Sequence, residues 1–531
     1  MCREGYPGLF RGPGSALAWV PVTDNVFDDA RAELDPAAIE LAMREVEAEL
    51  AQRWPEDKVA PDLQRERTLM DLLGSPQLAV PVIHVAGTNG KSSTARMIES
   101  LLRSFGLSTG LYVSPHLSSI RERICLNGDP VSAERFVRTF QDVAPYVSLV
   151  DAQTPDAPMT AFEVMTGVAF ACFADAPVDV IVIECGMGGR WDATNVVEPT
   201  VTVITPVDLD HQDYLGTDVA QIAAEKAGIV KPGAPVVMGL QAPAVAEVIQ
   251  AAAAVAEVPL LRQGVDFAVE SRALAVGGQL LLLAGCAGEY PDIFLPLHGP
   301  HQGDNAVTAL AAVECFFGDG GRRLNTETVA GGFAQVTSPG RLEVLRTGPT
   351  VVVDAAHNPA GARVLAASVK EAFDFRHVIA VVAVLADKDA SGILMALSSV
   401  VDEVVVTRNS SPRSMDIDAL AAVAAGVVGA DRLQVADDLA DAMEVATQRA
   451  DTWLAEGSTG ILVTGSVVTA GDVRSLLVGE LVPTIEEEVV AARVAEVAPD
   501  PEQDAVAAAE ALLAESMAEP VDWDPTREDH S

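Results

Sequence analysis

Residues 84–93 of this 531-residue chain, HVAGTNGKSS, give the clearest indication of its fold class. A β-rich run precedes it at residues 80–86, and residues 92–105 after it carry apolar side chains at helical spacing. The pattern predicts a strand, a glycine-rich turn and a helix. Small residues let backbone N–H groups approach an anion, and Lys91 can reach phosphate oxygens. We therefore expect a phosphate-binding loop, although Val85 stands where a strict Walker A motif has glycine; the alternative is an ordinary turn with a solvated lysine.

Outward from this loop, strands and helices alternate in two successive series. Apolar runs at residues 178–183 and 201–205 are typical of strands buried on both faces of a parallel sheet, and residues 242–257 indicate a helix. A break follows at residues 337–340, Thr-Ser-Pro-Gly. Beyond it we expect strands at residues 351–353, 378–384, 403–407, 432–435 and 461–464. The fold class predicted is α/β, with a P-loop NTPase-type N-terminal domain around a parallel-rich sheet and a smaller Rossmann-like C-terminal domain.

These composition changes divide the chain into four parts. Residues 1–35 are rich in Gly, Pro and Asp and are interpreted as an N-terminal extension. The first domain is expected at residues 36–338 and the second at 339–480. Residues 481–531 are strongly acidic, with Arg493 and Arg527 as the basic side chains, and are interpreted as a largely disordered tail.

The charge balance excludes several classes of partner. Lys and Arg total 35 against 76 Asp and Glu, a net charge of −41, so a broad basic surface for nucleic acid or anionic lipid is not expected. Apolar runs are interrupted by acidic residues before they reach the length of a membrane span, and no clear signal peptide begins the chain. The six cysteines have no C-x-x-C spacing, which argues against zinc and disulfides. We expect a cytoplasmic protein.

Further motifs follow the loop in order along the chain. They are SPHL at 114–117, TAFE at 160–163, ECGMGGRWDATN at 184–195, DLDH at 208–211, EKAGI at 225–229, HQGDNA at 301–306, PGRLE at 339–343 and DAAHNP at 354–359. Together with residues 84–93, they resemble the Mur ligase superfamily, and specifically its folylpolyglutamate synthases and bifunctional dihydrofolate synthases. The resemblance extends over residues 37–480. Ser92 departs from the family, where many members have glycine.

The resemblance implies an ATP-dependent ligase that joins L-glutamate to folates and also to 7,8-dihydropteroate. Because a carboxylate and an amine do not condense in water, such ligases first phosphorylate the acid and then let the amine attack the acyl phosphate. Both steps concentrate negative charge, so the site needs Mg²⁺, lysine and arginine. Two alternatives remain open, a Mur-type peptide ligase acting on a UDP-linked substrate and a nucleotide-binding regulator without catalysis. A monomer is the expected state.

The resemblance also assigns roles to individual residues. ATP is expected at Gly87, Thr88, Asn89, Gly90, Lys91, Ser92, Ser93, Asn305, Arg341 and Asp354; Mg²⁺ at Ser114, Glu184 and His211; the pterin at Thr160, Phe162 and Asp192. Lys91, Lys226 and His357 are the candidate catalytic residues, and family members carry a carbamylated lysine (N6-carboxylysine) at the position of Lys226.

Simpler interpretations of these residues exist. Ser114 can belong to an ordinary turn before Pro115, and an isolated histidine such as His211 is more often structural. Lys226 can form a surface ion pair with Glu225, Arg341 can be an exposed linker arginine, and Phe162 can belong to the core.

Overall fold

Two separate sheets built mainly from parallel strands organise the chain, as the sequence predicts. The computed structural model describes residues 36–54, 62–210, 212–318, 320–453 and 457–478. The predicted extension at 1–35 and the acidic tail at 481–531 lie outside these ranges, and so does His211.

The first sheet has eight strands in the order β4-β3-β2-β5-β1-β6-β7-β8. Its strands β3 and β4 run antiparallel to their neighbours, and the others are parallel. The bounds are β1 Val82–Ala86, β2 Thr109–Tyr112, β3 Ile124–Leu126, β4 Asp129–Pro130, β5 Val180–Glu184, β6 Val201–Ile204, β7 Val236–Met238 and β8 Leu260–Arg262.

Helices cover both faces of this sheet. They are α1 Pro36–Gln52, α2 Gln64–Leu72, α3 Lys91–Ser104, α4 Ala133–Gln153, α5 Ala161–Asp175, α6 Gln212–Leu215, α7 Val219–Lys226, α8 Pro243–Ala256, α9 Pro300–Gly318 and α10 Thr326–Ala334. Because side chains alternate along a strand, Ile83 and Val85 enter the core beneath α3 and α9, whereas Val82 faces the core formed with α1, α4 and α5. Burial on both faces explains why the strands are continuously apolar.

An antiparallel sheet of three strands packs against α9 and α10, and the sequence analysis did not predict it. Its strands are β9 Ala268–Ala275, β10 Gly278–Gly285 and β11 Gly288–Leu295. Register shifts interrupt the pairing of β10 with both neighbours. These shifts, together with Gly277 in the turn and Gly278 at the start of β10, weaken the regular alternation that would indicate a strand pair.

The second sheet has the order β12-β13-β17-β14-β15-β16, with β12 as its antiparallel edge. The strands are β12 Glu343–Thr347, β13 Thr350–Val353, β14 His377–Val382, β15 Glu403–Val406, β16 Leu433–Val435 and β17 Thr459–Thr464. Helices α11 Pro359–Ala372, α12 Ala390–Leu397, α13 Ile417–Val428, α14 Leu439–Trp453 and α15 Val467–Val478 alternate with them. All five strands predicted for this region are confirmed; β12 was missed.

The strand order places a crevice at the carboxyl end of β1. The chain passes from β1 to β2 on one side of β1 and later from β5 to β6 on the other, which is the arrangement that opens a binding crevice in α/β sheets. We call residues 36–334 the first lobe and residues 343–473 the second lobe. Both belong to one compact unit, within residues 1–473. None of the described helices has the length and hydrophobicity needed to cross a membrane.

Candidate active site

The predicted phosphate loop forms between β1 and α3. Gly87 has φ +150°, and a Cβ there would lie 1.9 Å from the Thr205 Oγ1, so the loop can pass this close to β6 only with glycine. The backbone N–H groups of Thr88 and Asn89 donate to the Pro206 carbonyl, at 2.9 and 3.1 Å. Since α3 begins at Lys91, the N–H groups of its first turn have no acceptor within the helix, which is the arrangement in which helix N-termini can bind anions.

Lys91 and the two serines of the loop point to different neighbours. The Lys91 Nζ donates to the Thr88 carbonyl at 3.2 Å, over its own loop. The Ser92 hydroxyl donates to the Glu184 Oε1 at 2.9 Å, and the Ser93 hydroxyl lies 3.1 Å from that of Ser338. Ser92 thus joins the loop to the carboxylate predicted to bind metal, whereas Ser93 joins it to the segment between the lobes.

Glu184 is a buried carboxylate at the end of β5, the strand beside β1. Its Oε2 accepts the backbone N–H of Ser114 at 3.4 Å. Burial raises its pKa, while the charge of Lys91 and the Ser92 hydrogen bond oppose that rise. Within the described residues no three His, Cys, Asp or Glu side chains could hold a metal together. One carboxylate beside serine hydroxyls fits a hard cation that takes its remaining ligands from water and phosphates, as Mg²⁺ does.

Lys226 lies at the end of α7 and is buried beneath the phosphate loop. Its Nζ donates to the Gly87 carbonyl at 2.7 Å. Burial, with a smaller contribution from the positive charge of Lys91, lowers the pKa of Lys226 from 10.5 to about 7. The interpretation of Lys226 as a surface residue paired with Glu225 is therefore wrong, since its side chain is enclosed at the loop.

Residues from the segment between the lobes and from the second lobe line a cleft of about 290 Å³ together with the loop. Asn305 of α9 lies against Gly90, where a Cβ would come within 2.5 Å of the Asn305 Oδ1. Arg341 lines the cleft, and its positive charge opposes the rise that burial causes in the pKa of Glu184 and of Asp354. The two Asp354 oxygens accept the N–H groups of Leu342 and Ala356, both at 2.9 Å. Asp354 therefore shapes the loops at the cleft wall.

A charged cluster joins the two lobes at Asp210. The His357 Nε2 lies 4.0 Å from the Asp210 Oδ2, and the Lys388 Nζ lies 3.9 Å from the Oδ1. His357 also places its Nδ1 3.0 Å from the Ala355 carbonyl. The sequence analysis gave no role to Lys388. Its signal was a charged Asp-Lys-Asp run shortly after a buried parallel strand, where α/β sheets place ligands.

The predicted pterin residues surround the glycine-rich loop after β5. Thr160 caps α5 in a capping box with Glu163. The ring of Phe162 lies against Gly186, where a Cβ would be 2.5 Å from its Cζ. Asp192 accepts from the Met187 N–H at 2.8 Å and from the Thr194 N–H and hydroxyl at 3.0 and 2.5 Å. The carboxylate of Asp192 therefore holds the loop that supports Phe162.

A buried acidic residue beside this loop was also missed. Glu66 of α2 is fully buried, and neither of its carboxylate oxygens has a hydrogen-bond partner in the described ranges. Burial, reinforced by the charges of Glu163 and Asp192, raises its pKa well above the usual value. Helical periodicity could not reveal it, because it stands in a polar run, QRER, at residues 64–67.

Models of two protein families match the chain. The Mur ligase middle domain matches residues 85–313, and the Mur ligase glutamate ligase domain matches residues 340–467. The dihydrofolate synthase/folylpolyglutamate synthase of Mycobacterium tuberculosis is 49% identical over 484 residues, covering 87% of this chain and 96% of that protein. The Bacillus subtilis protein of the same name is 32% identical, covering 79% and 95%.

Two solved structures are similar over most of the chain. One is Mycobacterium tuberculosis folylpolyglutamate synthase complexed with ADP, with a TM-score of 0.80 and 51% identity, covering 83% of this chain and 99% of that one. Another is a folylpolyglutamate synthase complex with AMPPCP and folate, with a TM-score of 0.72 and 31% identity, covering 82% and 100%.

Proposed function

Since the chain belongs to the dihydrofolate synthase/folylpolyglutamate synthase family of Mur ligases, we propose that the cleft beside residues 87–93 is its ATP site. The chain is an ATP-dependent ligase that joins L-glutamate to folates, and we extend this to 7,8-dihydropteroate. The observation that carries the proposal is the contact of the phosphate loop with a buried carboxylate and a buried lysine, Glu184 and Lys226, from neighbouring elements.

The reaction balances in two steps. A carboxylate oxygen of the folate or pteroate attacks the γ-phosphorus of ATP, and ADP leaves. The glutamate amine then attacks the acyl carbon, loses a proton, and inorganic phosphate leaves with the oxygen that the carboxylate supplied. Lys91 and the N–H groups that start α3 hold the phosphates, and Arg341 lies in the cleft where charge develops on the transferred phosphoryl group.

We place Mg²⁺ at Glu184 and Ser114, with His211 as a further proposed ligand. When bound, Mg²⁺ would neutralise phosphate charge beside Lys91. The Ser92 hydroxyl keeps the Glu184 carboxylate turned toward the loop, because it donates to one oxygen while the Ser114 N–H faces the other.

We further propose that Lys226 carries a carbamate. A pKa of about 7 leaves much of the amine neutral near pH 7, and the neutral amine is the form that adds CO₂. The modified group would lie beside Lys91, whose charge favours an anion. Because the adduct is labile to acid, the test is ¹³C NMR of native protein equilibrated with ¹³C-bicarbonate. A carbamate resonance that Lys226→Met removes is expected, and its absence from the wild type would contradict the modification.

We propose separate sites for the pterin and for the incoming glutamate. Phe162 offers a ring face for the pterin, while Thr160 caps α5 and Asp192 holds the loop after β5. Lys388 and His357 are proposed for the incoming glutamate, since they are the second-lobe basic groups that meet the first lobe at Asp210.

The deciding experiment is incorporation of radiolabelled glutamate, with dihydropteroate and tetrahydrofolate as parallel acceptors, with and without ATP. We expect incorporation with each acceptor that depends on ATP. Incorporation with a UDP-muramoyl acceptor alone would favour the peptide-ligase alternative, and phosphate release independent of any acceptor would contradict the ligase. A monomeric state and a cytoplasmic location remain predictions.

A further inference from the structure

Two polar atoms at the α9–α11 contact have no partner in the part of the chain that the structure describes. One is the Nδ1 of His301 in the first turn of α9, and the other is the hydroxyl of Ser368 on α11. Both atoms are buried, and both residues line the cleft. Buried polar groups are nearly always hydrogen-bonded, so a pair of unsatisfied atoms at one place requires an explanation.

The two atoms border the same small space beside Gly299. A Cβ on Gly299 would lie 2.5 Å from the Ser368 Oγ and 2.7 Å from the His301 Nδ1. Gly299 also has φ +93°, a conformation that favours glycine. The glycine therefore leaves open the space in which a hydroxyl of the second lobe and an imidazole of the first lobe can meet.

Position along α9 indicates which part of a nucleotide His301 would meet. His301 lies one helical turn before Asn305, on the same face, and Asn305 contacts Gly90 of the phosphate loop. With phosphates at residues 87–93, the part of a nucleotide that extends past Asn305 along α9 would meet His301. The apolar side chains of Val364 and Leu365 also line the cleft, one turn before Ser368 on α11. Apolar side chains together with the His301 imidazole suit a purine ring.

We propose that His301 is a specificity-determining residue for the purine of the nucleotide and that Ser368 is its positioning residue. This rests on the proposed ATP site. When nucleotide is bound, the Ser368 hydroxyl donates to the His301 Nδ1, which fixes the proton on Nε2 and makes Nε2–H a donor to adenine N1, a position that in guanine carries a hydrogen instead. Burial, with the charges of Arg341 and Arg272, lowers the pKa of His301 to about 4, so the ring is neutral and can accept this bond.

The test is calorimetric titration of the full-length protein with ADP, together with KM and kcat for ATP and GTP. His301→Phe keeps an aromatic ring at this position but removes both ring nitrogens. It should raise the Kd of ADP and the KM of ATP about tenfold, while kcat at saturating ATP stays within about twofold of the wild type. The preference for ATP over GTP should fall. Ser368→Ala should raise the same Kd about threefold in the wild type and leave it unchanged in the H301F background, because it acts through His301.

His298→Phe is the matched control. His298 is three residues earlier, packs against Phe373 at a tilt with ring centroids 5.4 Å apart and does not line the cleft, so its variant should bind ADP as the wild type does. The proposal is overturned if Ser368→Ala weakens ADP equally in both backgrounds, or if His301→Phe leaves the ATP/GTP ratio unchanged. Because ADP binding needs no acceptor or glutamate, the titration tests the role of His301 independently of the ligase activity.

Discussion

Two pairs of charged residues, one near the carboxyl edge of each sheet, differ in how deeply they are buried. At the first-lobe edge Glu184 and Lys226 are almost completely enclosed, and burial raises the pKa of the carboxyl and lowers that of the lysine. At the second-lobe edge Lys388 and His357 keep 17% and 29% of their side-chain surface exposed and lie at the limit of ion-pair distance from Asp210. The charged groups at the first edge are therefore held in place before substrate binds, whereas those at the second edge can exchange one ionic partner for another.

This difference suggests that the two lobes serve different steps of the reaction. Phosphoryl transfer needs fixed donors and cations at the position where charge develops, and enclosure in the first lobe holds them there. The incoming amine must enter after activation of the acid, so groups that release Asp210 and take a carboxylate of glutamate suit the second lobe.

The largest effect is expected at Lys91. Lys91→Ala removes the loop cation and should lower kcat by about 10³-fold without changing the fold, because the side chain packs against its own loop and not in a core. Steady-state glutamate incorporation and circular dichroism measure the two effects. Lys370→Ala, on the exposed side of α11, is the control. An unchanged kcat would refute the assignment of the phosphate loop.

Lys226→Met should lower kcat by about 10²-fold and also change how stability depends on pH. In CO₂-free buffer, where no carbamate forms on Lys226, the unfolded lysine holds a proton between pH 7 and 10.5 that the folded one releases, so this residue makes the unfolding free energy rise with pH. The Met variant should lose that rise, while Lys370→Met keeps it. Parallel urea titrations at several pH values give the slopes; equal slopes in wild type and variant would mean that Lys226 is not held neutral.

In the second lobe, Lys388→Ala should raise the KM for glutamate about tenfold while the KM for ATP changes little. The reason is that Lys388 is proposed to exchange Asp210 for a substrate carboxylate. Lys388→Arg, which keeps the charge, should recover most of the affinity. A rise in the KM for ATP alone would place Lys388 with the nucleotide and remove the contrast between the two edges.

The smallest effect is expected at Glu66, whose burial serves no proposed step. Its raised pKa keeps the carboxyl protonated in the folded protein at a pH where the unfolded chain ionises, so Glu66 lowers stability as pH rises above about 4.5. Glu66→Gln should raise the unfolding free energy at pH 7 by about 1 kcal/mol and remove this dependence. Thermal unfolding at pH 5 and pH 8 tests it; a variant less stable than the wild type at pH 8 would show that Glu66 is ionised and paired.

The sequence predicted the fold where local patterns are strong. Strands buried on both faces form continuous apolar runs, so β1, β5, β6, β13, β14, β15 and β17 were identified from residues alone. The sheet of β9–β11 was missed because its register shifts break the alternation and its packing partners, α9 and α10, follow it in the chain. Local sequence does not carry such contacts.

The sequence motifs identified residues that come together in the candidate site, but they did not predict how deeply those residues are buried. The loop, Glu184 and Lys226 come together as expected, but their burial follows from distant packing, such as the contact of Lys226 with Gly87. Asp192 and Asp354 were assigned to ligands, and the structure gives their oxygens to loop N–H groups. Whether they also reach a substrate stays a prediction. Lys388 was missed because its significance depends on Asp210, in the other lobe.

The central claim is that this site transfers the γ-phosphoryl group to a substrate carboxylate before the amine enters. Its most direct test is a reaction with a folate acceptor carrying ¹⁸O in the reacting carboxylate, followed by mass spectrometry of the released phosphate. Transfer of one labelled oxygen to phosphate in each turnover is the predicted result. Unlabelled phosphate, or label appearing in AMP, would contradict the account.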